Sequence, residues 1–206
     1  MKIRNTRDWK PDYLPEFFVF WDKISSSDIN GFRKALDSAT RESDMQAHIE
    51  ANPIMLIQHL GGGHGRWVIE QKRLGAEHVP DFVIADRNSL GYEWQVVEIE
   101  SPKAAMFTKA GDPSSKLNHA IRQIIDWRSW LKRNQDYASR IREKGGLGLI
   151  DIDSNVKGLI IIDRRNRIDD STQERRRQLC IDLNIEIHTY DWLIERALYR
   201  LKSLEK

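Results

Sequence analysis

The chain has 206 residues, with 33 Lys and Arg against 31 Asp and Glu for a formal charge of +2, and 40% of its residues are hydrophobic. That length suits one domain with an appendage and a sizeable core, and the balanced charge excludes a protein that coats nucleic acid by charge alone. Cys180 is the single cysteine, which excludes an internal disulfide and a thiolate metal site. No segment approaches the ~20 apolar residues of a membrane-spanning helix, and the start from Met1 to Asp8 lacks the apolar run of a signal peptide. A reducing cytoplasm is the expected compartment, with no membrane partner.

Residues Trp9 to Trp21 concentrate aromatic side chains, among them Tyr13, Phe17, Phe18 and Phe20, and predict an extended segment packed on a core or on another subunit. Ser25-Ser26-Ser27-Asp28 offers a helix cap, and Phe32, Leu36 and Ala39 recur at helical spacing, so a first helix reaches about Ala39. Residues 1–41 are expected to form an aromatic-rich extension with a helix, and residues 42–206 the main domain. Ser43-Asp44-Met45-Gln46 has the form of a capping box, with Ser43 as cap, opening a helix through Ile49 and Ala51. Asn52-Pro53 restarts it, and Ile54 to Leu60 should add a helical turn or two. Gly61-Gly62-Gly63-His64-Gly65 lacks the Lys-Ser/Thr ending of a phosphate loop and precedes the strand-like Arg66 to Glu70, so it reads as a flexible connection. His64 and His78 fall in such loops as polar punctuation.

Phe82-Val83-Ile84-Ala85 and Trp94-Gln95-Val96-Val97 flank a polar turn from Arg87 to Gly91 and predict an antiparallel pair. Acids then converge at one end of it. Val79-Pro80-Asp81 puts Asp81 at the start of one strand, and Glu98-Ile99-Glu100-Ser101-Pro102-Lys103 puts Glu98 and Glu100 at the end of the other. Side chains alternate along a strand, so Glu98 and Glu100 share a face, and the Ile99 carbonyl offers a further oxygen. Two carboxylates ~4 Å apart repel by roughly 4 kcal/mol at an effective dielectric of ~20, so a cluster that stays ionised at neutral pH needs a cation. Oxygen ligands alone point to Mg2+ or Mn2+, held by Asp81, Glu98, Glu100 and the Ile99 carbonyl. The competing reading is that Asp81 and Glu98 merely end strands in solvent.

Ser115 to Arg133 reads as a long amphipathic helix with an apolar stripe of Leu117, Ile121, Ile124, Ile125 and Leu131. Lys116, Ala120, Gln123 and Trp127 form another line. If that line faces the strand ends, Gln123 holds the attacking water or a phosphate oxygen and Lys116 offsets charge; otherwise Gln123 satisfies a strand end. Val156 to Ile162 predicts a strand buried on both faces, and Ile185 to Thr189 an alternating one. Helices are expected between them, from Gln173 to Leu183, and after them, from Asp191 to Leu201. Two basic clusters can neutralise phosphates: one includes Arg122, Arg128, Lys132 and Arg133, the other Arg164, Arg165, Arg167 and Arg175 to Arg177. Asp163, Asp169, Asp170 and Glu174 interrupt the second, and a solvated, salt-bridged surface is the alternative. Lys116, Arg122, Arg164 and Arg165 are the expected nucleic-acid contacts.

This order of elements matches an α/β restriction-endonuclease-like core (α-β-β-β-α-β) with an added N-terminal segment and a C-terminal strand and helix. Asp81, Glu98 and Glu100 resemble the PD-(D/E)xK nuclease signature, except that Glu100 stands where Lys is usual, as it does in some restriction-type members. The run Phe107 to Ser114 followed by Leu117 to Trp130, together with Val97 to Pro102 and the ending Thr189 to Leu193, is similar to the Shedu-type nuclease domain of that superfamily. The likeness extends from about Glu42 to Tyr199. It implies metal-dependent cleavage of DNA by a homo-oligomeric, cytoplasmic protein of anti-phage defence. It also implies catalytic roles for Asp81, Glu98, Glu100, Lys103 and Gln123, with Lys103, or else Lys116, supplying the ammonium and Gln46 or Glu50 approaching from the first core helix. Two other readings remain: a catalytically silent nucleic-acid-binding module on the same fold, for which Glu100 is the best support, and an interaction scaffold using the aromatic segment.

Overall fold

Five β-strands form one sheet whose spatial order follows chain order: β1 (Arg66–Glu70), β2 (Phe82–Asn88), β3 (Gly91–Ile99), β4 (Lys157–Ile161) and β5 (Ile185–His188). The computed structural model describes residues 13–61, 63–70 and 79–205; Trp9, Gly62 and His78 lie outside them. β1, β2 and β3 pair antiparallel, whereas β3, β4 and β5 pair parallel. The connections dictate this switch. A tight turn at Ser89-Leu90 joins β2 to β3, but α3 (Ser115–Ser139) and α4 (Asp170–Leu183) carry the crossovers that parallel pairing requires.

Strand alternation sorts the core into two layers. Val68, Phe82, Ile84, Val97, Ile99, Leu159 and Ile161 pack with α1 (Ser26–Ser38), α2 (Glu42–Ala51) and α5 (Tyr190–Leu204). One residue out of step, Ile69, Val83, Ala85, Val96, Ile160 and Ile187 pack with α3. α1 begins as its cap predicts: Ser25 and Asp28 exchange side-chain and backbone hydrogen bonds. α2 begins earlier than expected. Ser43 is not its cap; Asp44 reaches back to the N–H groups of Thr40 and Arg41, and Arg41 is the capping position. The stretch expected to be helical as far as Leu60 is a 3-10 turn at Pro53–Met55 followed by single turns.

On α3, Leu117, Ala120, Ile121, Ile124, Trp127, Trp130 and Leu131 are buried. Ile125, expected in the stripe, is 43% exposed, because Trp127 continues the line from Ala120 and Ile124. The helix lies so close to the sheet that a Cβ on Gly158 would stand 2.8 Å from Ile124 Cδ1. From Tyr13 on, the aromatic segment is extended only around Phe18, which bridges antiparallel to Trp67 of β1. It makes 3-10 turns at Pro15–Phe17 and Trp21–Lys23, and Tyr13, Phe17 and Phe18 pack on the α3-side core while the guanidinium groups of Arg66 and Arg200 both lie against the Trp21 ring. No helix among the described residues is long and apolar enough to cross a membrane.

Arg128 was expected to be available to phosphate, but it is spent inside the fold. Its guanidinium donates to the carbonyls of Val156, Leu183 and Asn184, at 2.9, 2.6 and 2.7 Å, and so ties the end of α4 to the approach of β4. Hydrogen bonds to charged groups contribute about 1.5–3 kcal/mol each, so Arg128→Ala should destabilise the protein by about 2–4 kcal/mol in urea titrations.

Candidate active site

The β2–β3 register sets Asp81 opposite Glu98. Phe82 pairs with Val97, so the residue before one faces the residue after the other, where opposed Cβ atoms are about 4.5–5.5 Å apart. A buried carboxylate facing a second one cannot ionise there at low cost. Glu98 is 3% exposed, and burial first, then the neighbouring Asp81, push its pKa up to about 11. It therefore keeps its proton and donates it to Asp81. Burial also raises Asp81, opposed by hydrogen bonds from Glu98 and from the Ile99 N–H, which lies 2.9 Å from Asp81 Oδ2. A strand residue directs its N–H and C=O to the same side, so the Ile99 carbonyl faces the Asp81 edge as well. Among the described residues, Glu98 Oε1 is buried with no hydrogen-bond partner.

Glu100 shares that face. It is 2% exposed; burial raises its pKa to about 7, with Lys116 pulling it down and Glu42 pushing it up. Lys116 Nζ lies 2.9 Å from Glu100 Oε2 and 3.4 Å from Glu42 Oε2. The ammonium arrives on the first turn of α3, which Ser114 caps by accepting the Leu117 N–H. Its pKa is raised, chiefly by the bond to Glu100. Glu42 opens α2 and is the acid the sequence reading missed. Gln46 and Glu50, the candidates from that helix, are hydrogen-bonded to each other at 3.1 Å, though the charge of Glu50 still bears on Asp81. The missing signal was the true start of α2: with Ser43 taken as the cap, Glu42 fell outside the helix.

The remaining candidates lie elsewhere. Lys103 is exposed on the turn after β3, beside Asp37, Arg164 and Arg167 in a surface pocket, and its main chain, not its ammonium, is engaged. The cation beside Glu100 is Lys116 instead. Gln123 is half-buried on the helix line that carries Lys116. Arg122 is exposed with its guanidinium 3.1 Å from His119 Nδ1. Arg164 holds Asp191 through Nε and Nη2, at 3.0 and 3.1 Å, and also reaches Asp37; Arg165 holds Glu195 at 2.8 Å. Those acids partner both arginines within the fold. Arg164→Ala should cost about 1–3 kcal/mol of stability in urea titrations by leaving half-buried Asp191 without its partner.

A mixed sheet layered between helices, with paired carboxyl groups and one lysine at the end where antiparallel pairing gives way to parallel, defines an α/β protein with a buried acidic site. Residues 39–194 match the family described as Shedu protein SduA, C-terminal, and the chain belongs to that family. No curated protein matches the chain. Among solved structures, SfsA from Pyrococcus furiosus in complex with Ca2+ is similar at 15% identity and a TM-score of 0.29, over 71% of this chain and 56% of that one. Among the described residues, no three His, Cys, Asp or Glu side chains stand as a ready metal cage.

Proposed function

We propose that this domain is a metal-dependent DNA nuclease of the PD-(D/E)xK type, acting in anti-phage defence, as membership of the Shedu family suggests. The observation that carries the reading is the face-to-face Asp81 and Glu98 with Glu100 beside them, three hard-oxygen donors of which Glu98 and Glu100 are buried, with Lys116 as the cation at Glu100. The orphaned Glu98 Oε1 supports it further, since a buried acceptor without a partner suits a cation. Asp81, Glu98 and Glu100, with the Ile99 carbonyl, would hold Mg2+ or Mn2+. Such an ion lowers the pKa of bound water and offsets the charge that develops on phosphate.

The chain's own residues do the rest. With a cation held there, Glu98 would be ionised, its proton having passed to solvent water. Glu100, poised near neutrality and paired with Lys116, takes the proton of the attacking water, and the Lys116 ammonium stabilises the charged phosphate oxygens. Gln123, along the same helix line, orients water or phosphate. DNA is the proposed partner.

Incubation with linear and circular DNA plus Mg2+ or Mn2+ tests the reading, which expects metal-dependent shortening abolished by EDTA. The proton and Lys116 can also neutralise the acids permanently, and that favours one rival, a silent DNA-binding module. The rival shifts DNA in a gel without cutting it.

A further inference from the structure

We infer that Tyr190 and Arg167 are positioning residues for Glu100, clamping the turn after β3 by its carbonyl groups; the inference rests on the nuclease reading above. Ser101 to Ala104 form a tight turn, closed by the Ala104 N–H donating to the Ser101 carbonyl at 3.0 Å. A turn this short leaves its other carbonyls to be met from outside. Tyr190, with no exposed surface, donates its hydroxyl to the Glu100 carbonyl at 2.8 Å. Arg167 donates to the Lys103 and Pro102 carbonyls at 2.9 and 2.7 Å. Three carbonyls at the end of the acidic strand are thus held by two side chains from distant parts of the chain.

Both donors are themselves anchored on Asp163. The Tyr190 N–H donates to the Asp163 main-chain oxygen at 3.3 Å, and the Arg167 guanidinium pairs with the Asp163 carboxylate. The same carboxylate accepts the N–H groups of Met106 and Arg164, at 3.0 and 2.7 Å. Asp163 sits 2% exposed at φ 71°, a left-handed conformation that a non-glycine residue keeps only where its surroundings over-determine it. On the other side, the Glu100 N–H donates to the Ile161 carbonyl of β4 at 2.8 Å. The Glu100 main chain is therefore fixed at both its N–H and its C=O. Only side-chain torsions remain free, and the carboxylate is delivered to Lys116 and Glu42.

Groups that orient a metal ligand without touching the metal typically change its affinity by about 10–100-fold when removed. Tyr190→Phe deletes the hydroxyl and keeps the buried ring; Arg167→Gln is the second variant, which also removes the ion pair to buried Asp163, so the melting temperature of both variants is read alongside. Mn2+ binding followed by electron paramagnetic resonance, amide exchange across Ser101 to Ala104 without metal, and cleavage kinetics are compared with the wild type. The clamp predicts Mn2+ affinity weaker by about 10–100-fold, faster exchange at the turn, and a fall in kcat with KM for DNA unchanged. Wild-type Mn2+ affinity and wild-type exchange in both variants, with only a lower melting temperature, would reduce the pair to packing and overturn the inference. A wild-type protein that binds no Mn2+ sinks the nuclease reading, and the clamp with it.

Discussion

Glu98→Gln should lower metal-dependent DNA cleavage by at least about 10^3-fold while DNA affinity stays within about twofold of the wild type. The first figure follows because a bound ion contributes several kcal/mol of charge stabilisation, and each 1.36 kcal/mol is tenfold in rate. The second follows because affinity for DNA comes mainly from cations on phosphates, and Glu98 is a buried acid. The fold should survive the change. Glutamine has the size of protonated glutamic acid, and its amide can donate to Asp81 as the Glu98 carboxyl does. Cleavage assays with purified protein, beside filter binding at fixed salt, check both halves. Retained cleavage would remove Glu98 from the chemistry, and with it the argument from the paired carboxyl groups.

The pairing that makes this substitution informative was largely visible in the chain. Asp81 and Glu98 flank apolar runs separated by a short polar turn, and strand periodicity alone set them at one end of an antiparallel pair. The strands from Arg66 to Glu70 and from Ile185 to His188 were equally legible from composition and alternation. What stayed hidden depended on contacts distant in sequence. Nothing local in Lys103 and Lys116 says which ammonium meets Glu100; the long α3 and its starting point decide it in favour of Lys116. Glu42 joins the site only because Asp44 starts α2 before Ser43. The arginines misled for the same reason. Arg128, Arg164 and Arg165 read as a basic surface until their partners, the carbonyls after α4 and the acids of α5, are seen beside them. Charge counted along a sequence does not say which charges are already spent.

Between pH 7 and 8.5 the protein should lose stability as pH rises, by up to about 1.4 kcal/mol per unit, and Glu98 is the cause. The sign follows from proton counts. Glu98 titrates at about 11 in the fold against an ordinary 4.5, so in this window the folded protein carries a proton that the unfolded chain has released. Stability from such a group is complete below the unfolded pKa and is lost as pH climbs toward the folded one. Glu100, raised to about 7, adds its share only between 4.5 and 7. His59, which burial depresses to about 4, works in the opposite direction, costing stability as pH falls below 6.5. Below pH 6.5 the effects oppose, so the slope belongs to Glu98 most cleanly above 7. Urea titrations at pH 7.0, 7.75 and 8.5 should show the decline in the wild type and a flat line in Glu98→Gln, because an amide has no proton to lose. Saturating Mn2+ should flatten the slope, since a cation would bind the ionised acid and leave folded and unfolded chains with the same proton count at Glu98. A wild-type slope that Glu98→Gln leaves intact would mean that the proton sits elsewhere and that Asp81 and Glu98 are not the coupled pair their register makes them.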